Sequence, residues 1–427
     1  MAGLRFSSWT ISALAGASAG LLGAPAFAQF GPAPELPDGA GKDMVETVCT
    51  TCHTTFNITG SAGYTAEQWD ALTANMIDLA PLPEEKAEIV AYLAEHFPPN
   101  TNRASTMVDG PLEVTFTEWV APTLGQRARD PVEAPDGSIW WVGQTGNIVG
   151  RLDPETGAMQ EWSPPPETHP HSVTLDADGT PWLTGNGNGT LVKLDPESGE
   201  FTVYPMPDPA ARDPHTAEFD ADGILWFTLQ QSNMLGRFDP ATGDIELKTM
   251  PTPQSRPYGV KIAADGAPMV ACNGGGGCLV RVNPDTFDLT EIKLPTEGTT
   301  TRRLDIAEDG VIWFVNSAQG KIGRYDPATG AIEEWDSPSG PRSHPYGMAV
   351  VDGIVWYNES GVRPDMLVRF DPATETFQSW PIPSGAEGEV TLHVGINRHM
   401  RPTRDGDLLI HQDATNRIIR VGLPPAD

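Results

Sequence analysis

The sequence predicts a multidomain protein in which a small all-α domain is followed by an all-β, seven-bladed β-propeller. Amphipathic helical patterns occupy residues 42–97, and a unit of about 43 residues then repeats seven times. Glycine and proline are abundant (44 and 41 residues), as in chains rich in turns. A period of this length with four short strands per unit is typical of propeller blades.

The first 28 residues are predicted to be a secretory signal peptide. Arg5 supplies a positive charge, residues 11–22 are mostly apolar or small, and Ala26-Phe27-Ala28 matches a small-x-small cleavage pattern. The apolar run is too short and too rich in glycine and alanine for a membrane span, and no later stretch is apolar enough for one. We therefore expect an exported, periplasmic protein that begins near Gln29 and has no membrane span.

Residues 29–100 are predicted to form the all-α domain. The first helix covers residues 42–53, and the second, 66–80, places apolar side chains on one face at spacings of three and four. The third helix, 83–97, begins with two glutamates that suit the helix dipole and is stopped by a proline pair.

The run Cys49-Thr50-Thr51-Cys52-His53 lies at the end of the first helix. The spacing C-x-x-C-H indicates covalent attachment of one haem c: each thiol adds to a vinyl group, and His53 binds the iron. The alternatives are a zinc knuckle or free thiols, and no second Cys/His pair lies nearby in the zinc pattern. With its three helices, the segment resembles a small class I cytochrome c domain.

Met76 is the residue that this resemblance indicates as the second axial ligand of the haem iron. In similar cytochromes a methionine lies downstream of the haem motif and ahead of the final helix. A thioether raises the reduction potential and suits electron transfer. Two alternatives stay open, since Met76 could be a core residue of its helix and His96 is a weaker substitute ligand.

The propeller is predicted to span residues 113–427, after a linker at 101–112. Asp-Gly turns recur at a spacing of 42 to 53 residues, with their aspartates at Asp136, Asp178, Asp222, Asp265, Asp309, Asp352 and Asp405. The last blade ends after its third strand, whereas residues 113–119 match an outermost strand. We expect this N-terminal strand to complete the last blade and close the ring, which removes the exposed sheet edges. An extended linker could carry the helical domain to either face of the ring.

The starts of the innermost strands and the ends of the second strands meet on one face of a propeller, here called the channel face. The innermost-strand positions lie seven residues before each Asp-Gly aspartate, with one deletion in the sixth blade: Arg129, His171, His215, Tyr258, Arg302 and Tyr346. The second-strand ends are Gly143, Gly185, Leu229, Cys272, Asn316, Glu359 and Gln412. Core packing alone does not explain so many histidines and arginines, so this ring is the candidate site.

The repeat resembles the virginiamycin B (streptogramin) lyase family of seven-bladed propellers. The shared pattern is a P-H or P-Y-G strand start, D-G-x-x-W-F and I-G-R-x-D-P-x-T-G, over residues 113–423. The resemblance implies a divalent metal, usually Mg²⁺, held by a glutamate that matches Glu359, and a histidine as general base. Tyr346 and Arg302 stand where the family has histidines, so the family mechanism would need His344 as a displaced base. The alternative for Glu359 is a carboxylate paired with a nearby arginine.

His171 and His215 occupy equivalent positions in adjacent blades. Two imidazoles are a common start to a transition-metal site, so they are candidate ligands for a metal in the propeller. The alternative, which we favour, is that each ring bonds the neighbouring backbone and closes its strand.

Cys272 and Cys278 flank a glycine-rich hairpin. In the oxidising compartment that the signal peptide predicts, a local disulfide is favoured over a reactive thiol.

The composition excludes some functions and leaves three open. A formal net charge of −30 argues against nucleic acid and anionic membranes as partners. The main hypothesis is a periplasmic oxidoreductase whose propeller binds a small-molecule substrate or metal and whose haem passes electrons to a redox partner. The alternatives are a metal-dependent lyase and a non-enzymatic electron-transfer or binding module.

Overall fold

The computed structural model describes most of the helical segment and nearly all of the propeller. The described ranges are 34–51, 55–60, 63–99, 103–386 and 398–424. The predicted signal peptide, Cys52 and His53 lie outside them. No helix within these ranges is long and apolar enough to cross a membrane.

Four helices are described in the N-terminal segment: α1 (Lys42–Cys49), α2 (Thr55–Gly60), α3 (Ala66–Met76) and α4 (Pro83–His96). Three of them follow the predicted patterns, but α1 and α3 are shorter than predicted. Helix α3 begins with a capping box between Thr65 and Gln68, and it ends where Ile77 becomes extended. Helix α2 is not predicted, because six residues are too short to show a helical period.

One apolar cluster holds the helices together. Its buried members include Val45 of α1, Trp69 of α3 and Tyr92 of α4. The indole Nε1 of Trp69 donates to the Phe97 carbonyl at 3.3 Å, and the Tyr92 hydroxyl donates to the Pro37 carbonyl at 2.6 Å. Each large ring therefore satisfies its polar atom while it fills the core.

The propeller has seven four-stranded antiparallel sheets, numbered here from the innermost strand outward. Blades one and two contain β2 (Ala128–Glu133), β3 (Ile139–Gly143), β4 (Ile148–Leu152), β5 (Met159–Trp162), β6 (Pro170–Leu175), β7 (Pro181–Gly185), β8 (Thr190–Leu194) and β9 (Phe201–Pro205). Blades three and four contain β10 (Pro214–Phe219), β11 (Leu225–Leu229), β12 (Met234–Asp239), β13 (Asp244–Thr249), β14 (Pro257–Ile262), β15 (Pro268–Cys272), β16 (Cys278–Val282) and β17 (Leu289–Lys293). Blades five and six contain β18 (Thr301–Ile306), β19 (Ile312–Asn316), β20 (Lys321–Tyr325), β21 (Ile332–Asp336), β22 (Pro345–Val351), β23 (Ile354–Glu359), β24 (Met366–Asp371) and β25 (Thr376–Pro381).

The seventh blade is completed by the N-terminal strand, as predicted. It contains β26 (Arg401–Pro402), β27 (Leu408–Gln412), β28 (Arg417–Gly422) and, outermost, β1 (Thr115–Val120). Strand β1 pairs antiparallel with β28 over its full length. The ring is thus closed by a sheet that joins both ends of the propeller.

The described part of the linker, from residue 103 onward, is hydrogen-bonded along blade six. Ala104 forms a parallel bridge with Arg363 in the loop between β23 and β24. Farther along, Val108 donates to the Ser379 hydroxyl at 2.9 Å, and the Ser379 N–H donates back to the Val108 carbonyl at 3.0 Å. These bonds lead the described linker from the channel face down the outer strand β25. The helical segment is therefore held at the channel face.

The predicted disulfide between Cys272 and Cys278 is present and joins the facing ends of β15 and β16. Both residues are buried between blades three and four.

Replacing both cysteines by alanine is expected to lower the free energy of unfolding by about 2 kcal/mol, because the open hairpin regains chain entropy in the unfolded state. Denaturant unfolding without reductant measures the loss. Wild-type protein unfolded with reductant is the matched control and should lose a similar amount. Equal transition midpoints for the variant and the oxidised wild type would contradict this expectation.

Candidate functional site

The candidate site is built on a backbone irregularity that recurs in the innermost strands. In each of the first six blades, the register between the innermost and second strands shifts just after the strand begins, as between Thr301 and Leu304 of β18. Each predicted innermost-strand residue lies at or inside this shift. A β-bulge re-aims the side chains of the bulged strand. The repeat therefore delivers these side chains to one ring at the channel.

Five of the six predicted residues form a continuous buried chain. Arg129 Nη2 lies 2.9 Å from His171 Nε2, and the rings of His171 and His215 are 3.5 Å apart. The His215 ring lies 4.0 Å from that of Tyr258, whose hydroxyl is hydrogen-bonded to the hydroxyl of Tyr346. The sequence thus correctly grouped residues that are up to 217 positions apart (129 to 346).

The sixth residue, Arg302, lies over the two tyrosines. Its guanidinium carbon is 5.0 Å from the Tyr346 ring centre and 5.7 Å from that of Tyr258. The Arg302 residue is only 8% exposed. Burial alone would raise the pKa of Tyr346, but Arg302 and Arg398 together lower it to about 8. Burial raises the pKa of Tyr258 to about 12.

Asp130 is a central carboxylate that the sequence did not reveal. It accepts hydrogen bonds from the Ser172 hydroxyl and from His399 Nδ1, the latter at 2.7 Å. The guanidinium groups of Arg401 and Arg303 lie 3.6 and 3.8 Å away. Burial opposes ionisation, yet His399 and Arg401 lower the pKa of Asp130 well below its usual value. Asp130 is therefore an ionised counter-charge within the ring.

Asp413 is the second ionised carboxylate of the site. It accepts a hydrogen bond from Arg398 Nε at 2.6 Å and one from Arg127 at 3.0 Å. Burial would raise the pKa of Asp413, but these two arginines lower it to about 2. Arg398 lies seven residues before Asp405, so the repeat spacing that marked Arg129 also indicates Arg398. Asp413 carries no such signal, because it lies in a loop.

The two candidate metal-binding histidines have other partners. His171 Nδ1 lies 3.0 Å from the His215 carbonyl, while its Nε2 contacts Arg129. His215 Nδ1 contacts the Thr216 hydroxyl at 3.1 Å. Burial and nearby arginines lower the pKa of both histidines, so both rings are neutral. The favoured alternative, in which each ring bonds the neighbouring backbone, therefore holds for His171, whereas the His215 ring contacts a side chain. Across the described part of the chain, no group of three or more His, Cys, Asp or Glu residues has a geometry suited to a metal ion.

Glu359 is buried and held by serines. It accepts hydrogen bonds from the Ser337 hydroxyl at 2.5 Å, the Ser339 N–H at 2.9 Å and the Ser339 hydroxyl. Burial raises the pKa of Glu359. The alternative of an ion pair with arginine is not formed among the described residues. His344 lies near the site, with its ring centre 5.6 Å from that of Tyr346.

The helical segment contacts the loops of the channel face. Gly125, in the loop before β2, donates to the Asn75 carbonyl at 2.9 Å. The Arg363 guanidinium lies 3.2 Å from the ring centre of Tyr64. Ala414, in the loop between β27 and β28, belongs to the apolar cluster of the helices. One loop between blades seven and one, one hairpin loop of blade six and one hairpin loop of blade seven therefore form the surface on which the helical segment lies.

Cys49 and Met76 are the two predicted haem-binding residues within the described ranges, and the chemistry of both side chains fits a haem c. Cys49 ends α1 and Met76 ends α3, and each packs, partly buried, against the apolar cluster that includes Ala414. The Cys49 thiol suits covalent attachment to a vinyl group, the Met76 thioether suits the iron, and the apolar cluster beside both suits a haem c. His96, the weaker substitute ligand, packs against Tyr92 with ring centres 4.4 Å apart and ring planes tilted by 49°.

The seven closed blades and the buried polar ring define the protein as a seven-bladed propeller with a candidate site at its channel. More specifically, the chain belongs to the virginiamycin B lyase family, whose model matches residues 106–363. No curated protein matches the sequence.

Solved structures of the same architecture cover the propeller. A streptogramin B lyase is 24% identical, with a TM-score of 0.65, over 73% of this chain and 98% of that one. A virginiamycin B lyase from Staphylococcus aureus is 22% identical, with a TM-score of 0.64, over 73% of this chain and 100% of that one. A catalytically inactive form of the Staphylococcus aureus enzyme, solved with quinupristin, is 21% identical with a TM-score of 0.64, over 73% and 100% of the two chains. At these identities the likeness establishes the fold.

Proposed function

We propose that this chain is an exported, periplasmic haem c oxidoreductase whose propeller binds a small substrate at the channel face. The observation that carries the proposal is the position of the helical segment. The segment with the C-x-x-C-H motif packs on the channel-face loops through Asn75, Tyr64 and the cluster around Ala414. An oxidoreductase needs its electron carrier close to the substrate site, and a haem in this segment would lie at the channel face.

The roles of the residues follow from their chemistry. Cys49 and Cys52 would attach the haem, and His53 and Met76 would bind its iron. When bound, haem c supplies one-electron transfer, tuned by its axial ligands and by the polarity around it. The protein's own contribution at the channel is a set of buried arginines and two hydrogen-bonded tyrosines. These groups can orient a polar substrate and exchange a proton with it.

A redox partner is the second participant that this function needs. The net charge of −30 makes the surface of the chain strongly acidic. Charge complementarity speeds encounter and excludes partners of like charge. We therefore infer a periplasmic redox partner with a basic docking surface.

The second candidate function is a metal-dependent lyase, which family membership supports. Glu359 lies at the end of β23, where the resemblance implies a metal-holding glutamate. Tyr346 and Arg302 replace the histidines that the family mechanism uses, so His344 would have to act as the base. Its ring approaches that of Tyr346, which keeps it near the channel.

One set of assays separates these functions. The purified holoprotein is first analysed for iron and divalent metals, and its haem spectrum is recorded before and after a panel of small substrates is added. We expect an iron content near one per chain and reduction of the haem by a substrate. The same preparation is incubated with quinupristin and Mg²⁺, and we expect no conversion of the antibiotic. Glu359→Gln is the matched control for that arm.

Three other outcomes would contradict the proposal. Mg²⁺-dependent conversion of quinupristin that Glu359→Gln abolishes, without substrate reduction of the haem, would establish the lyase. No reduction across the panel, with haem present and no conversion, would leave the non-enzymatic electron-transfer module. A preparation without covalent haem would exclude both the oxidoreductase and the non-enzymatic electron-transfer module.

A further inference from the structure

The charges buried at the channel are not balanced. Five arginines of the ring are less than 9% exposed: Arg129, Arg302, Arg303, Arg398 and Arg401. Two ionised carboxylates, Asp130 and Asp413, face them. A buried ion costs several kcal/mol unless an opposite charge lies beside it. Counted over the residues that the structure describes, the ring therefore holds more buried positive charge than its carboxylates neutralise.

Within the described ranges, the other titratable groups of the region do not balance this positive charge. Burial raises the pKa of Glu359 and, well above its usual value, that of Asp365, and the Glu359 carboxyl is already hydrogen-bonded to Ser337 and Ser339. Burial lowers the pKa of His399 and His411, as it does for the other two ring histidines, so these neutral rings leave the charge of the arginines unchanged. A counter-ion must come from outside these groups.

Arg302 is the cation with the fewest partners. Within the described ranges, its guanidinium forms no hydrogen bond and no ion pair, and it lies over the faces of Tyr258 and Tyr346. Further polar atoms nearby also lack hydrogen-bond partners there, namely Arg129 Nε and Arg398 Nη2. Arg398 lies 5.9 Å from the same Tyr346 ring. Two guanidinium groups with unused N–H donors, those of Arg302 and Arg398, therefore lie beside one pair of phenols.

We propose that the channel binds a small oxyanion, either a carboxylate or an inorganic oxyanion, between Arg302, Arg398 and the Tyr258–Tyr346 pair. Guanidinium groups match the planar oxygen pairs of carboxylates and the oxygens of phosphates, and hydrogen bonds between charged partners are the strong ones. The phenol hydroxyls add donors of the same kind. This inference rests on the proposed function only in taking the channel as the substrate site, and it names the chemical class of that substrate.

Direct binding to the full holoprotein is the first test. Acetate and inorganic phosphate are titrated separately at constant ionic strength and followed by calorimetry. We expect saturable binding of at least one of the two anions. Saturation by acetate indicates a carboxylate ligand, and saturation by phosphate indicates an inorganic oxyanion. In Arg302→Met the dissociation constant should rise at least about ten-fold, because a charge-assisted hydrogen bond is lost. Arg324→Met, which removes an exposed arginine of β20 paired with Glu333, should leave it unchanged.

A second readout is taken on the wild-type holoprotein and does not depend on the folding of Arg302→Met. An anion beside Tyr346 disfavours its phenolate, so saturating ligand should raise the Tyr346 pKa above its ligand-free value of about 8. Ultraviolet absorbance of tyrosinate follows this titration, and Tyr346→Phe identifies the step.

The outcome that overturns the anion site is the absence of saturable binding by both probes together with an unmoved tyrosine titration. Neither assay reads the haem. Anion binding without substrate-dependent haem reduction would therefore contradict the proposed oxidoreductase and support the anion site. Haem reduction without anion binding would contradict only the anion site.

Discussion

Replacing Cys49 and Cys52 together by alanine is expected to abolish covalent haem attachment, because both thioether bonds of a C-x-x-C-H site are lost. Denaturing gel electrophoresis followed by haem staining measures the covalent fraction, and alkaline pyridine spectra measure its amount. We expect no detectable signal in the double variant. Each single variant should keep a reduced signal with a spectrum shifted by its unsaturated vinyl group.

The chain offers a matched control for this experiment. Cys272→Ala with Cys278→Ala also removes two cysteines, but these form the disulfide of blade four and lie far along the chain from the haem motif. That variant should keep full haem staining. Covalent haem that persists in the Cys49/Cys52 double variant, or a wild-type protein without haem from a host competent in haem attachment, would refute the attachment site.

The propeller was predictable in nearly every respect because each blade repeats the same local signals. Asp-Gly turns, aromatic pairs in the second strand and a missing last strand were enough to predict seven blades and closure by β1. Helices were predicted less well, since their ends depend on tertiary packing. Helix α3 stops at Met76, although the apolar spacing continues to Leu79, which is buried without being helical.

The candidate site was only half predictable. Positions set by the repeat, such as His171 and Tyr346, follow from counting back from the turn, and counting in the seventh blade would also have given Arg398. Asp130 and Arg303 could not be found in this way, since each directly follows a predicted position. The β-bulge turns both neighbours towards the channel, where strand alternation would place one of them on the opposite side.

Replacing Asp130 by alanine is expected to have the largest effect on stability of any single substitution at the channel. The change leaves Arg303, Arg401 and His399 buried without their shared carboxylate. Breaking a buried ion pair by removing one partner costs about 3–5 kcal/mol, because the remaining charges stay desolvated. Urea unfolding at neutral pH measures the loss. Asp136→Ala, which removes a largely exposed partner of Arg151, should cost less than about 1 kcal/mol.

The pH dependence gives this prediction a second check. The pKa of Asp130 is lower in the folded protein than the value of about 3.9 expected in the unfolded chain. Its contribution to stability is therefore fully present above about pH 4 and is lost as the pH falls towards the folded value. The difference between wild type and Asp130→Ala should be constant near neutral pH and shrink in acid. A difference that stays the same down to the acid transition would mean that the Asp130 carboxylate is not the charge that holds the channel arginines together.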